Sequence, residues 1–145
     1  MTDALPERIE DAQHLEDVLT TPDAALAQDL ARLDGDILIL GVGGKMGPTL
    51  AGLARRTAPG KRIIGVARFS EQGLEERLRR AGIETIACDL LDREALAALP
   101  EVTNVVFMAG RKFGTAGQAH LTWAMNVLMP ALVAERFRSS RIVAF

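Results

Sequence analysis

The sequence predicts an α/β protein built on a doubly wound parallel sheet, and three observations predict it. Short apolar runs alternate with helical stretches from residue 36 to residue 145. Each connection between successive runs carries one helix, which returns the next strand in the same direction. The first run ends in a corner, "DILILGVGGKMG" (36–47), with four glycines in seven positions. Right-handed crossovers then lead to a Rossmann-like sheet of five strands in the order 3-2-1-4-5.

Residues 1–35 read as a helical extension ahead of this domain. In "ERIEDAQHLEDVL" (7–19) Ile9, Ala12, Leu15, Val18 and Leu19 share one helical face. "TTPDAALAQDLARLDG" (20–35) reads as a second helix, with Thr21 as N-cap, Pro22 at the first helical position and Gly35 as its stop. "DILIL" (36–40) is a continuously apolar run of the kind buried on both faces. "PTLAGLARRT" (48–57) follows as a helix, then "RIIGVA" (62–67) as the second strand and "EQGLEERLRRAG" (71–82) as a charged helix closed by Gly82. "IETIAC" (83–88) is the third strand, "DREALAALP" (92–100) a short helix, and "TNVVFMA" (103–109) the fourth strand. Residues 115–140 carry the longest helix, with Pro130 as a kink inside it, and "RIVAF" (141–145) is the fifth strand.

Composition narrows the function classes. Apolar residues make up 48% and charged residues 25%, with a net charge of −2, so the chain reads as an ordinary globular domain. No basic stripe interleaved with aromatics supports a nucleic-acid partner. No apolar stretch approaches the roughly 20 residues that span a bilayer, and the polar start "MTDALPERIEDAQ" is not a secretory signal. A single cysteine, Cys88, cannot form an internal disulfide, which suits a reducing, cytoplasmic compartment. His14 and His120 read as solvated or capping residues, Trp123, Met125 and Met129 as packing, and no cluster has metal-ligand spacing.

The glycine corner is the candidate site. In a doubly wound sheet, ligands sit beyond the carboxyl ends of the strands where the strand order reverses, and the corner after the first strand is that place. Gly41 lets the chain leave the strand sharply, and Gly44 lets the backbone approach a pyrophosphate unshielded by a Cβ. Gly47 lets the next helix pack tightly on the sheet. Unpaired amides at that helix start, with the helix dipole, face the negative charge. Lys45 and Met46 lie within the same corner. A plain tight turn is the alternative, but strand, glycines and helix together form the context that a dinucleotide motif requires. A Walker loop fails, because Ile39 and Met46 stand where it needs glycine and Ser/Thr. A methyltransferase-like nucleoside site is a distant alternative, since no acid ends the first or second strand.

The end of the second strand bears on the cofactor. An acid about 20 residues past the glycines selects NAD through the ribose hydroxyls. Here Ala67 is followed by Arg68, whose guanidinium suits a ribose 2′-phosphate, with Lys45 as a second positive charge. The expectation is therefore NADP in preference to NAD.

"GVGGKMG" has the Gly-x-x-Gly-x-x-Gly spacing of extended short-chain dehydrogenases/reductases, the NAD-dependent epimerase/dehydratase family, and residues 36–145 resemble that family. The resemblance implies adenine contacts from Asp89 and Leu90 in "CDLLD". It implies cofactor contacts from Met108, Ala109, Gly110 and Lys112 in "FMAGRK", and from Asn126 in "MNVLMPALV". It also implies a small sugar or sugar-nucleotide substrate for the full-length parent, and a second copy of the chain as partner. Asp89 as a cap of the following helix and Asn126 as a tie to neighbouring backbone are the plainer readings. Two departures stand out: the extension is long for this family, and the ribose-binding acid is missing. The family's Tyr-x-x-x-Lys acid/base pair has no counterpart, because the 145 residues contain no tyrosine. The chain thus reads as the cofactor-binding part of an NADP- or NAD-dependent oxidoreductase or epimerase. A non-enzymatic NAD(P)-sensing or interaction domain is the alternative.

Overall fold

The computed structural model describes residues 5–112 and 116–145. Its centre is a five-stranded parallel sheet of β1 (Ile37–Leu40), β2 (Ile63–Ala67), β3 (Glu84–Ala87), β4 (Asn104–Phe107) and β5 (Arg141–Ala144), in the order β3-β2-β1-β4-β5. This is the order expected from the alternation. Side chains alternate between the two faces of each strand, and the core divides accordingly. Leu38, Leu40, Ile64, Val66, Val105 and Phe107 face one layer, where Leu96 of α5 (Arg93–Ala97) and Leu132 and Val133 of α7 (Met129–Arg136) pack. Ile37, Ile39 and Ile63 face the other, against Ala51 of α3 (Gly47–Thr57) and Leu74 and Leu78 of α4 (Leu74–Arg80). Central β1 is buried along its whole length, whereas the edge strand β5 is exposed along all of its own.

The extension differs in detail from its sequence pattern. Its first helix, α1, spans only Ala12–Leu19, because the Asp11 side chain caps it by accepting the His14 N–H at 2.7 Å. His14 Nδ1 in turn accepts the Glu10 N–H, so this histidine does serve in a cap. In α2 (Ala24–Arg32) the N-cap is Asp23, which accepts from Leu26 N–H at 2.8 Å, and not Thr21. Thr21 instead donates to the Asp17 carbonyl at the end of α1. The helix stops at Arg32, three residues before Gly35, whose φ of +80° shapes the link to β1. The expected start at Met1–Ala4 lies outside the described residues. The extension docks on α3 through polar contacts: Thr49 donates to Glu16 at 2.8 Å, and Arg56 donates to the buried Thr20 hydroxyl. Leu15 and Leu19 remain largely exposed.

Three further corrections concern helices. α4 begins at Leu74, since Gly73 with φ +80° breaks the chain just before it. α5 is capped by Asp92, which accepts from Glu94 N–H and Ala95 N–H, and not by Asp89. The long helix is three pieces: α6 (Ala119–Trp123), a π-turn over Ala124–Leu128, and α7. Thr115, its expected first residue, lies outside the described residues. The π-turn lies directly before Pro130, which has no N–H to give and whose ring, within a regular α-helix, clashes with the carbonyl four residues back. Trp123, expected to pack, is 68% exposed.

Candidate functional site

The carboxyl ends of β1, β2, β3 and β4 converge on one cleft of about 250 Å³. Backbone hydrogen bonds fix these ends. Gly41 N–H and Val42 N–H both donate to the Val66 carbonyl at 2.9 and 3.1 Å, Cys88 N–H to Ala67, and Met108 N–H to Leu40. The cleft is lined by Gly41, Gly43 and Gly44 after β1, Ala67–Glu71 after β2, Cys88–Leu91 after β3, and Met108–Gly110 after β4. Leu74, Met125 and Met129 complete its apolar wall.

The glycines act by different means. Gly41 takes φ +89°, and a Cβ there would stand 2.7 Å from the Ala109 nitrogen, so the corner lies directly against the end of β4. Gly47 is buried as the first residue of α3, and a Cβ on it would meet the Val42 carbonyl oxygen at 2.2 Å. This is the close helix–strand packing that the spacing predicts. Gly44 is exposed, and a Cβ on it would meet only the Gly41 oxygen at 3.4 Å, so the surface it presents is bare backbone. Within the loop, Gly44 N–H donates to Gly41 and Gly47 N–H to Gly44. The amides of Gly43, Lys45 and Met46 donate to no backbone carbonyl among the described residues. Three donors without a backbone partner thus stand just ahead of an eleven-residue helix, the kind of terminus that can take an anion.

Of the residues singled out in the sequence, Gly41, Gly44, Arg68, Asp89, Leu90, Met108, Ala109 and Gly110 line the cleft. Lys45 and Met46 are exposed beside it, and Gly47 is buried beneath the corner. Lys112 and Asn126 stand outside the lining residues. Asn126 Oδ1 accepts the Arg111 N–H at 2.7 Å, and its Nδ2 donates to the Arg111 carbonyl at 2.8 Å. Arg68 is exposed and pairs with no acid among the described residues. The Asp89 carboxylate accepts only the Leu91 N–H among the described residues, at 3.0 Å. Burial pushes the Cys88 thiol above its ordinary pKa, and the charges of Asp89 and Asp92 push the same way.

Several lining residues escape the sequence reading. Glu71, four residues beyond Ala67, where the ribose acid is sought, also lines the cleft, and its carboxylate lies 3.7 Å from Arg77. Phe69 holds a left-handed φ of +49°, unusual for a bulky residue, and turns the chain beside Arg68. Neither has a local pattern that announces it. Met125 and Met129, one turn apart, read as packing, and they do pack on the core while also walling the cleft.

A doubly wound sheet with a glycine-cornered cleft at its switch point defines a dinucleotide-binding class of fold. The profile of the NAD dependent epimerase/dehydratase family matches residues 37–145, and the chain belongs to that family. Solved structures agree in fold. ADP-L-glycero-D-manno-heptose-6-epimerase from Helicobacter pylori is 22% identical with a TM-score of 0.66, over 77% of this chain and 38% of that one. The Bordetella bronchiseptica enzyme WbmG, solved in complex with NAD, is 22% identical with a TM-score of 0.63, over 79% and 38%. UDP-glucose-4-epimerase from Stenotrophomonas maltophila, with bound NAD and formylated UDP-arabinopyranose, is 18% identical with a TM-score of 0.61, over 77% and 36%. The chain therefore spans well under half the length of these structures. No curated protein matches it.

Proposed function

We propose that this chain binds a nicotinamide dinucleotide and forms the cofactor-binding part of an oxidoreductase or epimerase acting on a sugar or sugar nucleotide. Membership of the family and the NAD bound by structural neighbours support the reading. The observation that carries it is the corner at Gly41–Gly47, where three amides with no backbone partner among the described residues stand at the head of α3. This chain's own atoms suit such a group: Gly44 presents bare backbone, and a Cβ on it would meet only the Gly41 oxygen at 3.4 Å.

In this reading the corner amides of Gly43, Lys45 and Met46 take the diphosphate, which the positive end of α3 also favours. Asp89 accepts from the adenine side and Leu90 packs against it. Arg68 faces the adenosine ribose, and we assign it a 2′-phosphate, which favours NADP over NAD. Met108, Ala109 and Gly110 border the nicotinamide half, with Lys112 beside them. When bound, the dinucleotide supplies hydride chemistry. These 145 residues contain no tyrosine, so their share in this reading is binding and orientation. The single Cys88 supports a reducing, cytoplasmic setting.

Titration calorimetry with NADPH, NADH and S-adenosylmethionine tests the reading. Saturable binding of the nicotinamide nucleotides alone is the expected result. Binding of none of them, or of S-adenosylmethionine alone, overturns it. The second copy expected as partner would use the exposed Trp123, Val127 and Leu128. Sedimentation equilibrium should then show a dimer that Trp123→Glu dissociates, and a monomeric parent removes that part.

A further inference from the structure

We propose that the helical extension is a brake on the glycine corner: Glu16, seated on the first turn of α3, holds a negative charge beside the helix end that takes the diphosphate. The inference rests on the dinucleotide reading above. It gives a role to a part of the chain that lies outside the family profile, which begins at residue 37.

One stripe of α3 receives the extension. Thr49, Gly52 and Arg56 stand three and four residues apart, which places them on one helical face, while Ala51 and Ala54 pack toward the sheet. Thr49 Oγ1 donates to Glu16 Oε2 at 2.8 Å. Arg56 Nη1 donates to Thr20 Oγ1 at 2.5 Å, and that hydroxyl donates to the Glu16 carbonyl at 2.8 Å. Between the two ties a Cβ on Gly52 would meet Thr20 Cγ2 at 3.3 Å, so the helices touch closely there. The contacts advance together, from Glu16 to Thr20 on α1 and from Thr49 to Arg56 on α3. Both helices therefore run in the same sense, and α1 brings its start toward the end of α3 that carries the corner.

The charge delivered there is not neutralised. Glu16 forms no ion pair among the described residues, and it is half-buried, so solvent screens it incompletely. Its neighbours in sequence add to the field: from Glu7 to Asp23 the chain carries Glu10, Asp11 and Asp17 as well, and Arg8 is the single base. A carboxylate on the first turn is favoured by the helix dipole. That same contact spends the attraction which the positive end of α3 offers a second anion, and like charges repel. No residue within α1 is buried, so polar ties do most of the holding. A strap held in this way leaves its seat at small cost, which makes the charge at the corner adjustable.

Calorimetric affinities for NADPH and NADH test the brake in the full chain, with melting temperatures alongside. They are measured at about 20 mM and about 500 mM salt, between which the screening length falls from roughly 20 Å to roughly 4 Å. The variants are Glu16→Gln, Thr49→Val and Asp29→Asn. Glutamine keeps an acceptor for Thr49 and loses only the charge. Glu16→Gln is expected to bind the preferred dinucleotide about three- to fivefold more tightly at low salt, the scale of one charge at a helix terminus, and high salt removes the gain. Thr49→Val unties the carboxylate without deleting it, and its gain is smaller. Asp29→Asn, whose carboxylate lies 3.8 Å from Arg32 within α2, stays within about 1.5-fold of the parent. A purely structural tie would leave Glu16→Gln equal or weaker in binding at both salt concentrations, and that result overturns the brake. An equal gain for Asp29→Asn also overturns it, because net charge would then act in place of the contact. Binding by Glu16→Gln where the parent binds nothing upholds the brake at greater strength. Binding by the parent with no gain in either Glu16→Gln or Thr49→Val refutes the brake alone, whereas no nucleotide binding by parent or variants refutes the dinucleotide reading with it.

Discussion

Replacing Gly47 by alanine adds one methyl group, and the structure places it against atoms that cannot yield. The new Cβ would lie 2.2 Å from the Val42 oxygen, 2.6 Å from its carbonyl carbon and 2.7 Å from its Cα. All three belong to backbone. Val42 is fully buried and its N–H donates to Val66, while its side chain already fills the space beside Gly65, where a Cβ would meet it at 2.9 Å. The strand end is thus held on both sides, and α3 must lift away. Overpacking of this kind costs about 1–3 kcal/mol, and contact with fixed backbone points to the upper end. Alanine's better helix propensity returns at most about 1 kcal/mol. A net loss of about 2 kcal/mol follows, or a fall of roughly 6 °C in melting temperature for a domain of this size. Urea unfolding followed by circular dichroism measures it, with Gly60→Ala as control, since nothing lies within 4 Å of a Cβ there. The control should stay within about 0.5 kcal/mol of the parent. A Gly47→Ala midpoint equal to that of the control would refute the packing argument.

Asn104 is buried, donates to the Asp34 and Asp36 carbonyls at 2.7 and 3.1 Å, and accepts from Arg141. Asn104→Leu strands these partners and should cost about 2–3 kcal/mol in urea unfolding, against a small effect if water satisfies them. The raised pKa of Cys88 means that the folded state holds its proton more tightly than the unfolded state. Its contribution to stability is full below the unfolded thiol value of about 8.5 and is lost as pH rises through the higher folded value. The parent should therefore lose more stability than Cys88→Ala between pH 7 and 10, and parallel curves would contradict this. Arg68→Glu should reduce NADPH affinity about tenfold or more and leave NADH affinity within twofold, as removal of a charge-assisted pair requires. An unchanged NADPH/NADH ratio removes the 2′-phosphate assignment.

The sheet order was legible because each apolar run is separated from the next by one helix, and the hand of such crossovers leaves few topologies. The glycine corner was legible because its spacing serves backbone packing, which Gly41 and Gly47 then show in atomic contacts. Helix starts were read less well. Thr21-Pro22-Asp23 offers two oxygen-bearing caps in sequence, and only the observed bond to Leu26 N–H decides for Asp23. Asp89 and Asp92 posed the same problem, and the choice depends on where β3 releases the chain. The approach of Glu71 to the cleft and the left-handed Phe69 were invisible, because both depend on a loop path that no periodicity encodes. Trp123 misled for a related reason: the π-turn shifts the helical register, so spacing counted through it assigns the wrong face.

The central claim is that the amides of Gly43, Lys45 and Met46 hold the diphosphate, and Gly44→Val, between them, addresses it most directly. The side chain enters space bounded only by the Gly41 oxygen at 3.4 Å, so the urea midpoint should stay near that of the parent. Calorimetric affinity for the preferred nicotinamide nucleotide should fall more than tenfold, because the valine covers the donors. A folded Gly44→Val protein that binds this nucleotide as tightly as the parent would contradict the account.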